Sequence, residues 1–164
     1  MNDVNDVLAL RDEMPSRIFG AGEILLAEGD PGAVMYVLID GRVEVRKGDI
    51  VVTSVSEPGS FLGEMAALLD TPYSADVIAV VPTEVMVIED ASSSVAANPQ
   101  MTLQIARLLA RRLQAVTSYL GDLKRQYATA DGHLAMMDQV LSELMSMRPR
   151  AAEPGSDRED VPDY

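Results

Sequence analysis

A glycine followed by a glutamate opens a short apolar stretch near the middle of the chain. Gly63 and Glu64 precede the apolar residues 65–69, and Thr71 and Pro72 end the stretch. A glycine that leads into a helix of one or two turns leaves backbone N–H groups free at the helix N-terminus, and these donors and the helix dipole favour an anion. The pattern therefore predicts an anion site at this turn, and a plain turn glycine before a short helix is the alternative.

The residues on both sides of this helix resemble the phosphate-binding cassette of the cyclic-nucleotide-binding domain family. Residues 63–66, Gly-Glu-Met-Ala, match the Gly-Glu-Leu/Met-Ala with which the family opens its helix. Pro72, Ser74, Ala75 and Val77 match the Pro-Arg-Ser/Ala-Ala-x-Val segment that ends the cassette. Residues 19–45 resemble the family's first strands, and the whole resemblance runs from about residue 17 to about residue 113.

The resemblance implies a fold and a ligand site. The fold is mainly β with flanking helices: a β-roll (jelly roll) of the catabolite activator protein type, a long dimerisation helix and a second C-terminal helix. In the family, the glycine directs a backbone N–H at a phosphate oxygen, the glutamate accepts a hydrogen bond from the ribose 2′-hydroxyl, and the serine donates to the phosphate. The resemblance therefore implies that these residues bind the ligand: Gly63, Glu64, Met65, Ala66, Tyr73, Ser74 and Ala75.

One position departs from the family pattern. Tyr73 stands where the family has the arginine that pairs with the cyclic phosphate. A buried phosphate without a cation is costly, and tyrosine offers one neutral O–H where arginine offers a two-pronged cation. We therefore expect a weakened affinity for cyclic mononucleotides, unless Arg42 or Arg46 supplies a substitute cation.

Turn residues recur between residues 17 and 89 and separate short runs rich in β-branched residues. The runs cover residues 24–27, 34–39, 43–46, 50–55, 75–81 and 84–88. Short strands with this spacing indicate a sandwich or barrel rather than alternating strands and helices. In residues 42–46 polar and apolar residues alternate, so Val43 and Val45 are expected to point inward.

A heptad pattern marks the long helix after the strands. Apolar residues spaced alternately three and four apart run from Ala106 through Leu109, Leu113, Val116, Leu120, Leu123 and Tyr127. Leu103, Ile105 and Leu108 already supply apolar residues for the β-roll, so the seam is expected to pair with a second copy. In the catabolite activator group the corresponding helix forms the dimer, and we expect the same here, through Leu109, Leu113, Val116, Leu120, Leu123 and Tyr127.

The remaining segments complete the predicted organisation. Residues 1–15 are expected to form an N-terminal helix, 16–98 the β-roll, 99–148 a helical hairpin, and 149–164 a disordered acidic tail. Asp131 is a candidate N-cap for the second helix of the hairpin, whose methionine-rich face suits packing or docking of a peptide helix. After the dimer helix we see no room for a winged helix-turn-helix, so no DNA binding is expected.

Composition narrows the possible functions. The chain has no cysteine and a net charge of −13, and residues 20–90 carry thirteen acidic against three basic residues, a net charge of −10. An acidic body repels nucleic acid and anionic lipid. The N-terminus does not read as a signal peptide, no run is long enough to span a membrane, and a cytoplasmic location is expected. No nucleophile–base pair is apparent and His133 has no metal-binding companions, so neither an enzyme nor a metal site is expected.

These observations favour a non-catalytic regulatory protein with a cyclic-nucleotide-binding domain. It would bind a cyclic nucleotide or a related ligand, dimerise and signal through the dimer helix to a protein partner, without any other cofactor. Two alternatives remain open. The site has degenerated and the fold is a ligand-free interaction module, or the site senses a different ligand, such as a cyclic dinucleotide.

Overall fold

The computed structural model describes residues 9–126 and 133–146 of the 164-residue chain. It divides into two compact units, one that ends at Arg112 and one that begins at Leu113. The predicted acidic tail at residues 149–164, the candidate cap Asp131 and the seam residue Tyr127 lie outside the described residues, so those expectations stay predictions.

Within the described residues, eight strands form two four-stranded sheets, in which all pairs are antiparallel. The strands are β1 (Ser16–Phe19), β2 (Ile24–Leu26), β3 (Met35–Asp40), β4 (Val43–Lys47), β5 (Ile50–Val55), β6 (Phe61–Leu62), β7 (Asp76–Ala79) and β8 (Thr83–Ile88). One sheet has the order β1-β8-β3-β6 and the other the order β2-β7-β4-β5. This arrangement is the predicted β-roll.

Strand β3 separates two apolar clusters, because alternate side chains of a strand point to opposite faces. Tyr36 and Leu38 pack inside the roll with residues of both sheets, and Val43 and Tyr73 belong to the same cluster. Met35, Val37 and Ile39 face the other way and pack against the helices. The expected inward orientation of Val43 is confirmed, since it is fully buried, and Val45 packs against the same cluster.

In the part of the chain that the structure describes, four α-helices accompany the strands: α1 (Glu64–Leu69), α2 (Ala91–Ala97), α3 (Pro99–Gln126) and α4 (His133–Ser146). Helix α1 connects β6 to β7, and α2 follows β8 directly. The predicted start of the long helix at Pro99 is confirmed, because proline fits the first turn of a helix. Asn98 caps it through a hydrogen bond of 3.0 Å from the Met101 N–H to the Asn98 side-chain oxygen.

Several details differ from the sequence-based expectations. Where the predicted N-terminal helix is described, it is a 3-10 helix at Ala9–Asp12, and a strand begins at Ser16. Met65, expected to bind the ligand, and Leu68 of the same short helix are 48% and 41% exposed. Leu103 was expected to pack on the roll, yet it is 45% exposed, because the buried side of α3 is set by Met101 and Ile105.

The second unit contains the C-terminal part of α3 and the helix α4. Lys124 of α3 forms an ion pair with Asp138 of α4. Leu120 and Leu123 are half-buried, as are Leu141 and Leu144 of α4. The ion pair links the C-terminal part of α3 to α4 within the second unit, and the helical hairpin stays a prediction. Leu113 and Val116 remain 47% and 50% exposed.

Candidate functional site

Gly63 begins the cassette and has no room for a side chain. Its φ of 87° lies in the left-handed region, where glycine is favoured. A Cβ at this position would lie 3.0 Å from the Leu26 Cδ1, 3.2 Å from the Tyr73 Cε1 and 3.2 Å from the Val34 carbonyl oxygen. The space next to this backbone is therefore occupied by Tyr73 and its neighbours.

Tyr73 is built into the roll rather than pointing into solvent. It is 8% exposed. Its hydroxyl donates to the Val34 carbonyl oxygen at 2.6 Å and accepts from the Val34 N–H at 3.0 Å. The Tyr73 carbonyl oxygen also accepts from the Gly29 N–H at 2.9 Å, and its N–H donates to the Asp30 carbonyl oxygen at 3.0 Å. Tyr73 thus fastens the loop before β3 to the cassette.

The pKa of the Tyr73 hydroxyl is raised, which favours the protonated form that donates to the Val34 carbonyl oxygen. Burial raises the pKa of its hydroxyl, a hydrogen bond from the Val34 backbone opposes the rise, and the nearby Tyr36 and Asp30 add to it. A raised pKa keeps the phenol neutral at physiological pH, so that it can donate to the Val34 carbonyl. Because both its donor and an acceptor position are used within the protein, this hydroxyl is already satisfied without a ligand.

Glu64 lies beside Gly63 and is also buried, at 4% exposure. Its carboxylate forms an ion pair with the guanidinium of Arg112, a side chain of α3 that is 42% exposed. A buried carboxylate requires a partner of this kind, because desolvation of an unpaired charge is costly. The pair connects the first residue of the cassette helix to the long helix.

The other residues that were predicted to bind the ligand differ in how deeply they are buried. Ala66 is buried inside the roll and Ala75 is half-buried, whereas Met65 is 48% exposed and lies on the outer side of α1. The Ser74 carbonyl oxygen accepts from the Lys47 ammonium at 2.9 Å. Glu64, Ala66 and Tyr73 therefore form the buried part of the predicted site, and Gly63 is half-buried.

Neither candidate substitute cation has a described contact with the cassette. Arg46 donates to the Glu44 carboxylate through Nε at 3.0 Å and through a terminal nitrogen at 2.6 Å. For Arg42 the described bonds are those of its backbone, which pairs with the Thr83 hydroxyl. Two basic side chains do contact the cassette: Arg112 pairs with Glu64, and Lys47 donates to the Ser74 carbonyl oxygen.

The sequence of this chain is similar to that of a known protein family. The model of the Cyclic nucleotide-binding domain family matches residues 16–93. A cyclic AMP receptor protein from Thermus thermophilus is 30% identical over 156 residues, which cover 88% of this chain and 72% of that protein. The chain belongs to the cyclic nucleotide-binding domain family. The family resemblance predicted from the cassette residues is thereby confirmed.

Solved structures and other relatives agree with membership of the cyclic nucleotide-binding domain family. The crystal structure of the Thermus thermophilus catabolite activator protein has a TM-score of 0.58 and 26% identity, and the match covers 74% of this chain and 59% of that one. A Pycsar effector protein from Xanthomonas perforans is 36% identical over 118 residues, 65% of this chain and 39% of that protein. The chain thus spans well under half of that relative. The named relatives support a regulatory, ligand-binding role.

The sequence did not single out Arg112 as a residue of the site. The signal for it lies in the spacing of the buried side of α3. Met101, Ile105 and Leu108 face the roll, and the next residue of that series, four positions on, is Arg112. A basic residue at the end of a buried helical face is a candidate partner for a buried acid elsewhere.

Among the described residues, no group of His, Asp and Glu side chains is arranged to hold a metal ion. No described helix is long and apolar enough to cross a membrane.

Proposed function

We propose that this chain is a non-catalytic, cytoplasmic regulatory protein whose cassette binds a nucleotide-like ligand and whose long helix transmits the occupancy of the cassette. The ion pair between Glu64 and Arg112 carries this proposal. It joins the residue that contacts ribose in the family to α3. A ligand that competes for the Glu64 carboxylate would alter the contact of α3 with the roll. Such a ligand can shift a conformational equilibrium, because it interacts differently with the two states.

The burial of Tyr73 and the internal hydrogen bonds of its hydroxyl limit which ligands the site can bind. Tyr73 stands in place of the family arginine, and its hydroxyl is already used by Val34. A ligand would be held by Glu64 and by backbone groups of the cassette. We therefore expect cyclic AMP and cyclic GMP to bind with dissociation constants of about 0.1–1 mM.

Calorimetric titration of the unmodified chain with cyclic AMP and with cyclic GMP tests this expectation. The matched control is Glu64→Gln, which keeps the size of the side chain and removes the charge that pairs with Arg112. Saturable heat that is weakened by Glu64→Gln would support the proposal. Binding near 1 µM would mean that another cation anchors the phosphate. Absence of heat at about 10 mM would overturn the ligand-binding part.

The second candidate function is a ligand-free interaction module with the same fold. The observation that favours it is the burial of Tyr73, whose ring lies beside the Gly63 backbone in the interior of the roll. Under this function the helices provide the binding surface and the cassette is a structural element.

We also propose that the chain forms a homodimer through α3. Leu113 and Val116 belong to the predicted seam and are about half exposed in a single copy, which leaves an apolar stripe that a second helix can cover. The double substitution Leu113→Asp, Val116→Asp should convert the dimer to a monomer, because it buries four carboxylates in the paired seam. Light scattering measures the mass directly.

The control for the dimer experiment is Ala115→Asp. Ala115 is exposed on the same turns of α3 but lies off the seam, so this variant should retain the mass of the unmodified chain. If the unmodified chain already has the mass of one copy, or if the double variant stays dimeric, dimerisation through this seam is wrong.

A further inference from the structure

An apolar groove lies on the outside of the first unit, between helices α1, α2 and α3. Its volume is about 650 Å³, and it is lined by Ala67, Leu68, Ser92, Val95, Ala96, Pro99, Thr102, Leu103 and Ala106. Leu68 and Leu103 are 41% and 45% exposed, and Leu69 of the same short helix as Leu68 is 64% exposed. Large apolar side chains gathered around a concave surface are typical of a protein interaction site.

The polar groups of the groove are already satisfied from within the protein. The Ser92 hydroxyl donates to the Ala67 carbonyl oxygen at 3.0 Å. The Thr102 hydroxyl donates to the Val95 carbonyl oxygen at 2.6 Å. The groove therefore offers few hydrogen bonds to a polar ligand, and it suits apolar side chains that gain free energy by leaving water.

One end of this groove adjoins an acidic cleft, since Ser92 lines both. The cleft has a volume of about 420 Å³, and Asp70 and Asp90 are its two ionisable lining residues. Both carboxylates belong to exposed residues, and among the described side chains neither is in an ion pair. They lie in a segment, residues 20–90, whose net charge is −10. A cation next to the apolar groove would be attracted to this end.

We propose that the groove binds a helix of a partner protein that presents an apolar stripe and carries Lys or Arg at the end that meets the acidic cleft. The walls of the groove are helices, so a helix docking into a groove is the matching mode of recognition. The acidic cleft selects a basic partner and disfavours a second copy of this β-roll, which carries the same negative charge.

The position of the groove connects it to the cassette. Ala67 and Leu68 belong to α1, whose first residue, Glu64, is paired with Arg112 of α3. A partner seated in the groove would contact α1 and α3 together, which are the two elements that this ion pair joins. The inference rests on the proposed function, because it names the class of partner that would read a change in the cassette.

A designed peptide tests the proposal on the full chain. The probe is a fluorescent helix of about 18 residues with leucines on one face, neutral residues elsewhere and two lysines at one end. A matched peptide carries glutamates instead of the lysines. Fluorescence anisotropy should show saturable binding of the basic helix and at least about tenfold weaker binding of the acidic one.

Substitutions in the protein locate the binding site. Leu103→Glu should weaken the basic helix by at least about tenfold, and Leu68→Gln should weaken it by a smaller factor. The double variant Asp70→Asn, Asp90→Asn should remove the preference for the basic peptide while it retains the apolar part of the affinity. The control is Val52→Glu on β5, an equally apolar site at 61% exposure that lies outside the groove; it should leave the affinity unchanged. Circular dichroism checks the fold of each variant.

Three outcomes would overturn the proposal: equal binding of both peptides, binding that survives Leu103→Glu with Leu68→Gln, or equal weakening by Val52→Glu. Loss of self-association in Leu103→Glu would identify a second copy as the occupant and would also overturn it. The peptide titrations are independent of the cyclic nucleotide titration and of the substitutions in the α3 seam, so a failure here is distinguishable from a failure of the proposed function.

Discussion

Replacing Tyr73 with arginine should raise the affinity for cyclic AMP by about two orders of magnitude. The physical reason is the cation that the substitution returns to the position where the family pairs the cyclic phosphate. A hydrogen bond to a charged group contributes about 1.5–3 kcal/mol, and a forked guanidinium can make two of them. Titration calorimetry of the variant beside the unmodified chain measures the change.

The Tyr73→Arg substitution also removes the two bonds between the Tyr73 hydroxyl and the Val34 backbone. The guanidinium can replace the donor to the Val34 carbonyl, but it cannot accept from the Val34 N–H, because it has no acceptor. We expect a loss of stability of about 1–3 kcal/mol from the unpaired Val34 N–H, and the buried guanidinium, which has no anion in the ligand-free protein, adds to this loss. Thermal melting of the ligand-free variant separates this loss from the gain in affinity.

Two controls separate charge from space at residue 73. Tyr73→Phe removes the hydroxyl without adding a cation and should leave cyclic AMP binding as weak as before. Tyr73→Lys adds a single ammonium and should give an intermediate gain, since it cannot form a forked contact. If Tyr73→Arg binds no better than Tyr73→Phe in a folded protein, the cassette is closed for a reason other than charge. The ligand-free interaction module would then be the better function.

The fold was predictable from the sequence because its signals are local. Turn residues separate the strands, and alternation in residues 42–46 correctly predicted that Val43 points inward. The features that the sequence did not predict also have physical reasons. β6 has two residues, Phe61 and Leu62, too few to show a period, and it exists because it pairs with β3. Leu103 lies on a helix with apolar residues on several faces, and its own pattern cannot tell which of them the roll will cover.

The site was predictable only in part, because its decisive contacts join residues far apart in the chain. The motif located Gly63 and Glu64 and identified Tyr73 as the departure. However, the partner of the Tyr73 hydroxyl is Val34, 39 residues away, and the partner of Glu64 is Arg112, 48 residues away. A motif describes neighbours in sequence, so it could not show that the tyrosine is fastened to the roll or that the glutamate is linked to α3.

Removing the guanidinium of Arg112 should have the largest effect on stability among single surface substitutions in the first unit. Arg112→Ala leaves the Glu64 carboxylate, whose side chain is 5% exposed, without its cation. Breaking a buried pair costs about 3–5 kcal/mol. We expect about 2 kcal/mol here, because the Arg112 side chain is 42% exposed and solvent already screens the pair. Urea unfolding followed by circular dichroism measures the difference in free energy.

A second substitution decides whether that loss is electrostatic. Glu64→Gln in the Arg112→Ala background removes the charge that was left unpaired, so most of the lost stability should return. The matched control is Arg11→Ala, which breaks a solvent-exposed pair with Glu84 in the same unit and should cost at most about 1 kcal/mol. If the double variant is as unstable as Arg112→Ala alone, the arginine acts through packing of its aliphatic part. The contact between cassette and long helix would then be apolar, and a ligand that competes for the Glu64 carboxylate would have no ion pair to release.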